Sequence, residues 1–106
     1  MRELLSASQF IQVGEAMENC LRTQRGVYKY SDRARSKSSS FWIVCYRDVA
    51  RKDDLECVLV FEVWNESKIV HQAEGPGSRF PSSASLRHMQ TWAEGNDVVW
   101  NTWEMW

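Results

Sequence analysis

The chain offers little of what usually betrays a function. Its 106 residues contain three cysteines, two prolines, two histidines and no long apolar run. Three is an odd number for a disulfide scaffold, and Cys20, Cys45 and Cys57 form no Cys-x-x-Cys pair and no Cys/His spacing of a zinc site, so reduced thiols are expected and no metal. No stretch approaches the roughly 18 apolar residues that span a bilayer. Residues 1–10 lack the charged, apolar and small-residue regions of a signal peptide, so the expected location is the cytoplasm. Glycine-rich phosphate loops, a nucleophile elbow, a zinc-protease motif and a calcium loop are all missing, and no cofactor is expected. Gly75-Pro76-Gly77 reads as a turn, having neither a following lysine nor a helix placed to receive an anion.

What is present fits a single globular domain over residues 1–106: 43% hydrophobic and 25% charged residues, enough for one core. A net charge of −1 conceals a segregation. From Arg22 to Lys52, nine basic residues face two acids; from Asp53 to Trp106, three basic residues face nine acids. Either the blocks neutralise one another in the fold or they remain apart and make the molecule dipolar.

The order of elements follows from apolar spacing. Ser6-Ala7-Ser8-Gln9 has the form of a capping box, and Phe10, Val13, Met17 and then Cys20 or Leu21 recur at helical intervals. A helix is therefore expected over 7–24, ended by Gly26. Residues 27–30 read as a short strand, and 31–40 as a polar loop of serines and arginines. Residues 41–49 are apolar on both faces, which suits a central strand covered on each side. In 55–64, Leu55, Cys57, Leu59, Phe61 and Val63 form one apolar face, and Glu56 and Glu62 mark an opposite face expected to be partly wet. With 68–73 these segments form a three-stranded antiparallel meander. A loop at 74–82 precedes a second helix carrying Leu86, Met89, Trp92 and Ala93, with Gly95 as its stop. The tail, 97–106, fits either helix or strand by spacing, and its valines, threonine and tryptophans favour strand. The fold expected is α+β: an antiparallel sheet of four to five strands packed on one face by the N-terminal helix and by a second helix near 85–94.

Candidate functional residues fall into three groups. The acids Asp53, Asp54, Glu56, Glu62 and Glu66, with Trp64 beside them, suit a basic protein surface, and Trp103 and Trp106 are candidate aromatic anchors, since tryptophan is enriched among the residues that dominate interface energy. Arg33, Arg35 and Lys37, near Tyr28 and Tyr30, suit phosphate and unpaired bases. His71 and His88, with Arg79 or Arg87, are the only acid–base candidates for metal-independent RNA cleavage. Each group also has a plain structural reading: acids that keep a sheet soluble, tryptophans that fill the core, a solvated basic loop and chance histidines. The cysteines on neighbouring strands read as core thiols. The expectation is a small non-enzymatic protein that binds another protein, of the inhibitor, immunity or adaptor kind. The alternatives are single-stranded nucleic-acid binding through the basic block 22–52 and a small ribonuclease.

Overall fold

The structure is a computed structural model that describes residues 1–17, 24–47 and 55–105. It begins with strand β1 (Arg2–Leu4), then helices α1 (Ala7–Met17) and α2 (Gln24–Arg35), strands β2 (Ser39–Arg47), β3 (Leu55–Trp64) and β4 (Ile69–Glu74), a 3₁₀ turn (Pro76–Ser78) and helix α3 (Ser83–Gly95). The four strands form one antiparallel sheet in the order β1-β2-β3-β4. The α+β class, the meander and the helix near 85–94 are thus as the sequence implies. No described helix is long and apolar enough to cross a membrane.

The helices divide between the two faces of the sheet rather than gathering on one, as the two-sided apolar pattern of β2 requires. Phe41 and Ile43 of β2 and Val60 of β3 pack with Leu4, Phe10, Val13, Met17 and Tyr30 of β1, α1 and α2. Phe10 and Tyr30 meet the Phe41 ring edge-on, at 5.0 and 5.5 Å between centroids. On the other face Val44, Leu59, Phe61, Val63, Val70 and Ala73 pack with Met89 of α3 and with Leu86, Trp92, Val98, Trp100 and Trp103. Trp92 bridges this layer, 4.8 Å from Trp42 and 5.4 Å from Phe61. The β2/β3 register sets Cys45 opposite Cys57.

The capping box at the start of α1 forms as the sequence implies: the Gln9 amide donates to Ser6 Oγ (3.3 Å), while Gln9 Oε1 accepts from the backbone of Leu5 (2.7 Å) and Ser6 (3.1 Å). At α3 the Ser82 hydroxyl accepts from the Ser85 amide at 3.2 Å. The left-handed residue after that helix is Asp97 (φ 57°), not Gly95, which lies inside it.

Three expectations give way. Residues 18–23 lie outside the described residues, and from Gln24 onward the chain is helical through Gly26, so the proposed stop at that glycine and the strand at 27–30 are both replaced by α2. Local β-propensity at Val27, Tyr28 and Tyr30 loses to tertiary packing: Tyr30, Ser31 and Ala34 fall on one stripe of a helix, where Tyr30 and Ser31 are buried and Ala34 lies against the core around Phe41. The sheet takes its outer strand from residues 2–4 instead, with Leu4 opposite Phe41.

The polar loop expected at 31–40 is likewise replaced, by the end of α2, its cap and the first two residues of β2. The hydroxyls of Ser36 and Ser38 both donate to the carbonyl of Arg33, at 3.2 and 3.3 Å, satisfying an acceptor left over at the helix end. Lys37 follows in the left-handed region (φ 63°). That conformation costs a side-chain-bearing residue about 1–2 kcal/mol, partly offset by the extra unfolded-state freedom of glycine. Lys37→Gly is therefore expected to stabilise the fold by about 0.5 kcal/mol in urea unfolding. A loss of stability would show that the lysine side chain itself contributes.

The tail is neither regular strand nor helix. Val99 and Glu104 each make a parallel bridge to the outer edge of β4, at Ile69 and Gln72, so five residue steps of tail span three of β4 and the surplus bulges outward at Asn101 and Thr102. Four backbone hydrogen bonds of 2.8 to 3.0 Å hold it there.

Candidate functional site

On the α1/α2 side of the sheet, the last turn of α2 and the β3–β4 turn face one another across a groove of about 660 Å³, lined by Arg33, Ser38, Ser39, Trp64, Glu66 and Ser67. Asn65 holds the two walls together. Its amide nitrogen donates to the Lys37 carbonyl (2.9 Å), its backbone N–H to the Ser38 carbonyl (3.1 Å), and its side-chain oxygen accepts from Ser40 (2.8 Å). Ser40 Oγ in turn accepts from the Trp42 indole at 3.1 Å, tying the groove to the core on the opposite face.

The floor is an ion pair. Glu62 is wholly buried, with its side chain on the α2 face of β3, and Arg33 Nη1 donates to both carboxylate oxygens at 3.2 and 3.0 Å. The Ser39 hydroxyl donates to Oε2 at 2.7 Å. A carboxylate removed from water in this way is tolerable only with a counter-charge and hydrogen bonds, and these three residues supply both. The face expected to be partly wet is therefore dry at Glu62, and that carboxylate reaches a partner only through Arg33. The guanidinium lies 5.4 Å from the Tyr30 ring centre, its side chain one-third exposed to the groove. Among the described residues Nε and Nη2 of Arg33 make no hydrogen bond.

Trp64 forms the aromatic wall. It is 40% exposed and stacked on His71, with ring centres 3.8 Å apart and planes 22° from parallel. Trp64 pairs with Ile69, which sets His71 diagonally across from it on the same face, and His71 is itself the extra residue of a bulge in β4, where Val63 pairs with Val70 and Glu62 with Gln72.

The sequence candidates are therefore redistributed. Arg33, Glu62, Trp64 and Glu66, drawn from the basic and acidic groups alike, converge on one groove. Arg35 and Lys37 are exposed near it, and Arg35 lies 3.9 Å from Asp32 in a pair too exposed to hold either group firmly. Tyr30 is buried against Phe41 and closed to base stacking. Trp103 is half-buried on the α3 side, 5.2 Å from the exposed ring of Phe80. Asp53, Asp54 and Trp106 lie outside the described residues, as does the Glu56 side chain, whose backbone pairs with Tyr46. The histidines are separated by the sheet: His71 stacks on Trp64, while His88 sits on the exposed side of α3, in a shallow depression of about 250 Å³ with Ala84, Arg87 and Thr91. Among the described residues no three His, Cys, Asp or Glu side chains are grouped to hold a metal ion.

Two participants have no local signal in the sequence. Ser39 is one serine among four in the run 36–40, and only its register opposite Trp64 in the β2/β3 pairing sets it beside Glu62. His71 meets Trp64 diagonally across the β3/β4 pairing, through a register that the sequence does not display. No protein-family model, curated protein or solved structure matches this chain.

Proposed function

We propose that this chain is a non-enzymatic binding domain that contacts another protein through the groove between α2 and the β3–β4 turn. The observation that carries the reading is the exposed indole of Trp64, held rigid by His71 at the side of a preformed groove. A large, half-exposed aromatic ring with no freedom left to lose gives contact area at small entropic cost. Glu66 beside it is the acid available to a basic group of the partner, and Trp103 with Phe80 offers a second, separate aromatic patch. A cytoplasmic setting goes with this reading, since an odd number of cysteines without metal spacing suits reduced thiols.

Nucleic-acid binding through the basic block is supported less well. Its central arginine is neutralised by Glu62, Glu66 lies in the same groove, and Tyr30 is buried, so among the described side chains of α2, from Lys29 onward, no continuous positive path with stacking rings is formed; the side chains of Arg25 and Tyr28 lie outside the described residues. A ribonuclease would bring an acid and a base together, and the two histidines lie on opposite faces.

The test is affinity capture from the native host with wild-type bait, Trp64→Ala and the remote control Thr91→Ala, all after nuclease treatment. One protein enriched equally by wild type and control and lost with Trp64→Ala is the expected result. Capture abolished by nuclease, or undiminished in Trp64→Ala, overturns the proposal. The Trp64→Ala protein remains folded, since removing a half-exposed stacked ring is worth about 1 kcal/mol.

A further inference from the structure

The floor of the groove does more than tolerate a buried acid. Glu62 takes both its contacts from a single nitrogen of Arg33, Nη1, and with Ser39 it fixes the plane of the guanidinium. That leaves the other side of the same plane, the Nε and Nη2 edge, with no hydrogen bond among the described residues, on a side chain that is one-third exposed and lines the groove. This edge carries parallel N–H bonds at the spacing of two carboxylate oxygens, the arrangement in which arginine holds a carboxylate bidentately.

Resting on the reading that the groove is a protein-contact site, we infer that the Nε/Nη2 edge of Arg33 binds a carboxylate group of the partner, an acidic side chain or a chain end, whose neighbouring apolar residue lies on Trp64. The charges around the groove select a singly charged planar anion over a phosphate. Glu62 lies directly behind the fork and Glu66 beside it, so a dianion meets two negative charges at short range. Lys37 and Lys68, exposed and next in sequence to the lining residues Ser38 and Ser67, bring the surroundings to three cations against two acids, enough to favour one negative charge. Glu62 and Ser39 are positioning residues here, since they orient the fork and touch no ligand.

The experiment uses the full chain labelled with nitrogen-15 and three dipeptides: acetyl-Phe-Asp amide, which offers a side-chain carboxylate; acetyl-Asn-Phe with a free carboxyl terminus, which offers a terminal one; and acetyl-Phe-Asn amide, which offers neither. At least one carboxylate dipeptide is expected to shift the Arg33 Nε–H and Trp64 indole resonances saturably. For so small a ligand the dissociation constant is on the order of a millimolar, and about tenfold tighter than for the neutral dipeptide. Which dipeptide does so identifies the source of the carboxylate.

Arg33→Met combined with Glu62→Gln removes the fork without stranding a buried charge and is expected to abolish that preference. Glu62→Gln alone retains the fork and loosens it, weakening the preference while the Trp64 shift persists. Equal binding of all three dipeptides, an unmoved Arg33 Nε–H, or tighter binding of inorganic phosphate overturns the inference. Failure here with Trp64→Ala still losing a captured protein leaves the groove as the contact site and removes only the carboxylate; loss of both results removes the site itself.

Discussion

Replacing Arg33 with methionine is expected to destabilise the protein by about 3 kcal/mol, toward the lower end of the cost of breaking a buried ion pair. For a domain of this size that lowers the melting temperature by roughly 15 °C. The loss comes from Glu62. Without the guanidinium its carboxylate keeps only the Ser39 hydroxyl, at 2.7 Å, in a setting from which the folded chain excludes solvent. The figure stays at the lower end because Arg33 is one-third exposed, so water from the groove replaces part of what is removed. Adding Glu62→Gln to the same variant is expected to restore most of the stability. A neutral amide accepts from Ser39 without the desolvation of a charge, leaving a deficit of about 1 kcal/mol. Urea unfolding of the wild type, the two single variants and the double variant forms a complete cycle. An Arg33→Met protein within 1 kcal/mol of the wild type, or a double variant no better than the single one, would contradict the account of the groove floor.

That ion pair also bears on the segregation of charge along the chain. Arg33 belongs to the basic stretch 22–52 and Glu62 to the acidic remainder, 29 positions away, and the fold joins them where α2 crosses β3. At this crossing one charge of each block neutralises the other. Glu66 lines the groove and the exposed Lys37 is next in sequence to its lining residue Ser38, so its surroundings carry both signs. Mixed charge around a rigid aromatic suits discrimination among protein surfaces better than general attraction to a polyanion.

How far the sequence discloses this arrangement depends on the range of each interaction. The strands β2, β3 and β4 are legible because their signal is local: alternating Leu59, Phe61 and Val63, apolar residues on both faces of β2, and a tight Asn65 turn. The capping box at Ser6 and the stripe of Leu86, Met89 and Ala93 are legible for the same reason. Strand β1 is not, since three residues, two of them charged, cannot display an alternation, and only Phe41 across the ladder gives Leu4 its place. Helix α2 was obscured by Gly26 and by the β-propensity of valine and tyrosine, weak preferences that yield once Tyr30 finds a core to enter. For the site, Trp64 and Glu66 stand out as an aromatic beside an acid. The role of Glu62 does not, because alternation places it on a face and says nothing about a helix returning to cover that face.

Removing residues 103–106 is expected to cost about 2–3 kcal/mol, combining partial burial of Trp103 with two lost backbone hydrogen bonds. Those bonds run from the Ala73 N–H to the Glu104 carbonyl (2.9 Å) and from the Glu104 N–H to the His71 carbonyl (3.0 Å). Their loss has a second consequence, because β4 is the last strand of the sheet and the tail covers its outer side. An uncovered edge presents unpaired donors and acceptors to any second copy, so the truncated chain is expected to self-associate at concentrations where the intact one does not. Trp103→Ala separates the two effects. It removes the contact with Phe80 and with the core beneath α3 but keeps the backbone pairing of Glu104, so it is expected to lose stability without associating. Urea midpoints with sedimentation velocity distinguish these results. A truncated protein with an unchanged midpoint and a monomer's sedimentation would mean that β4 needs no cover from the tail.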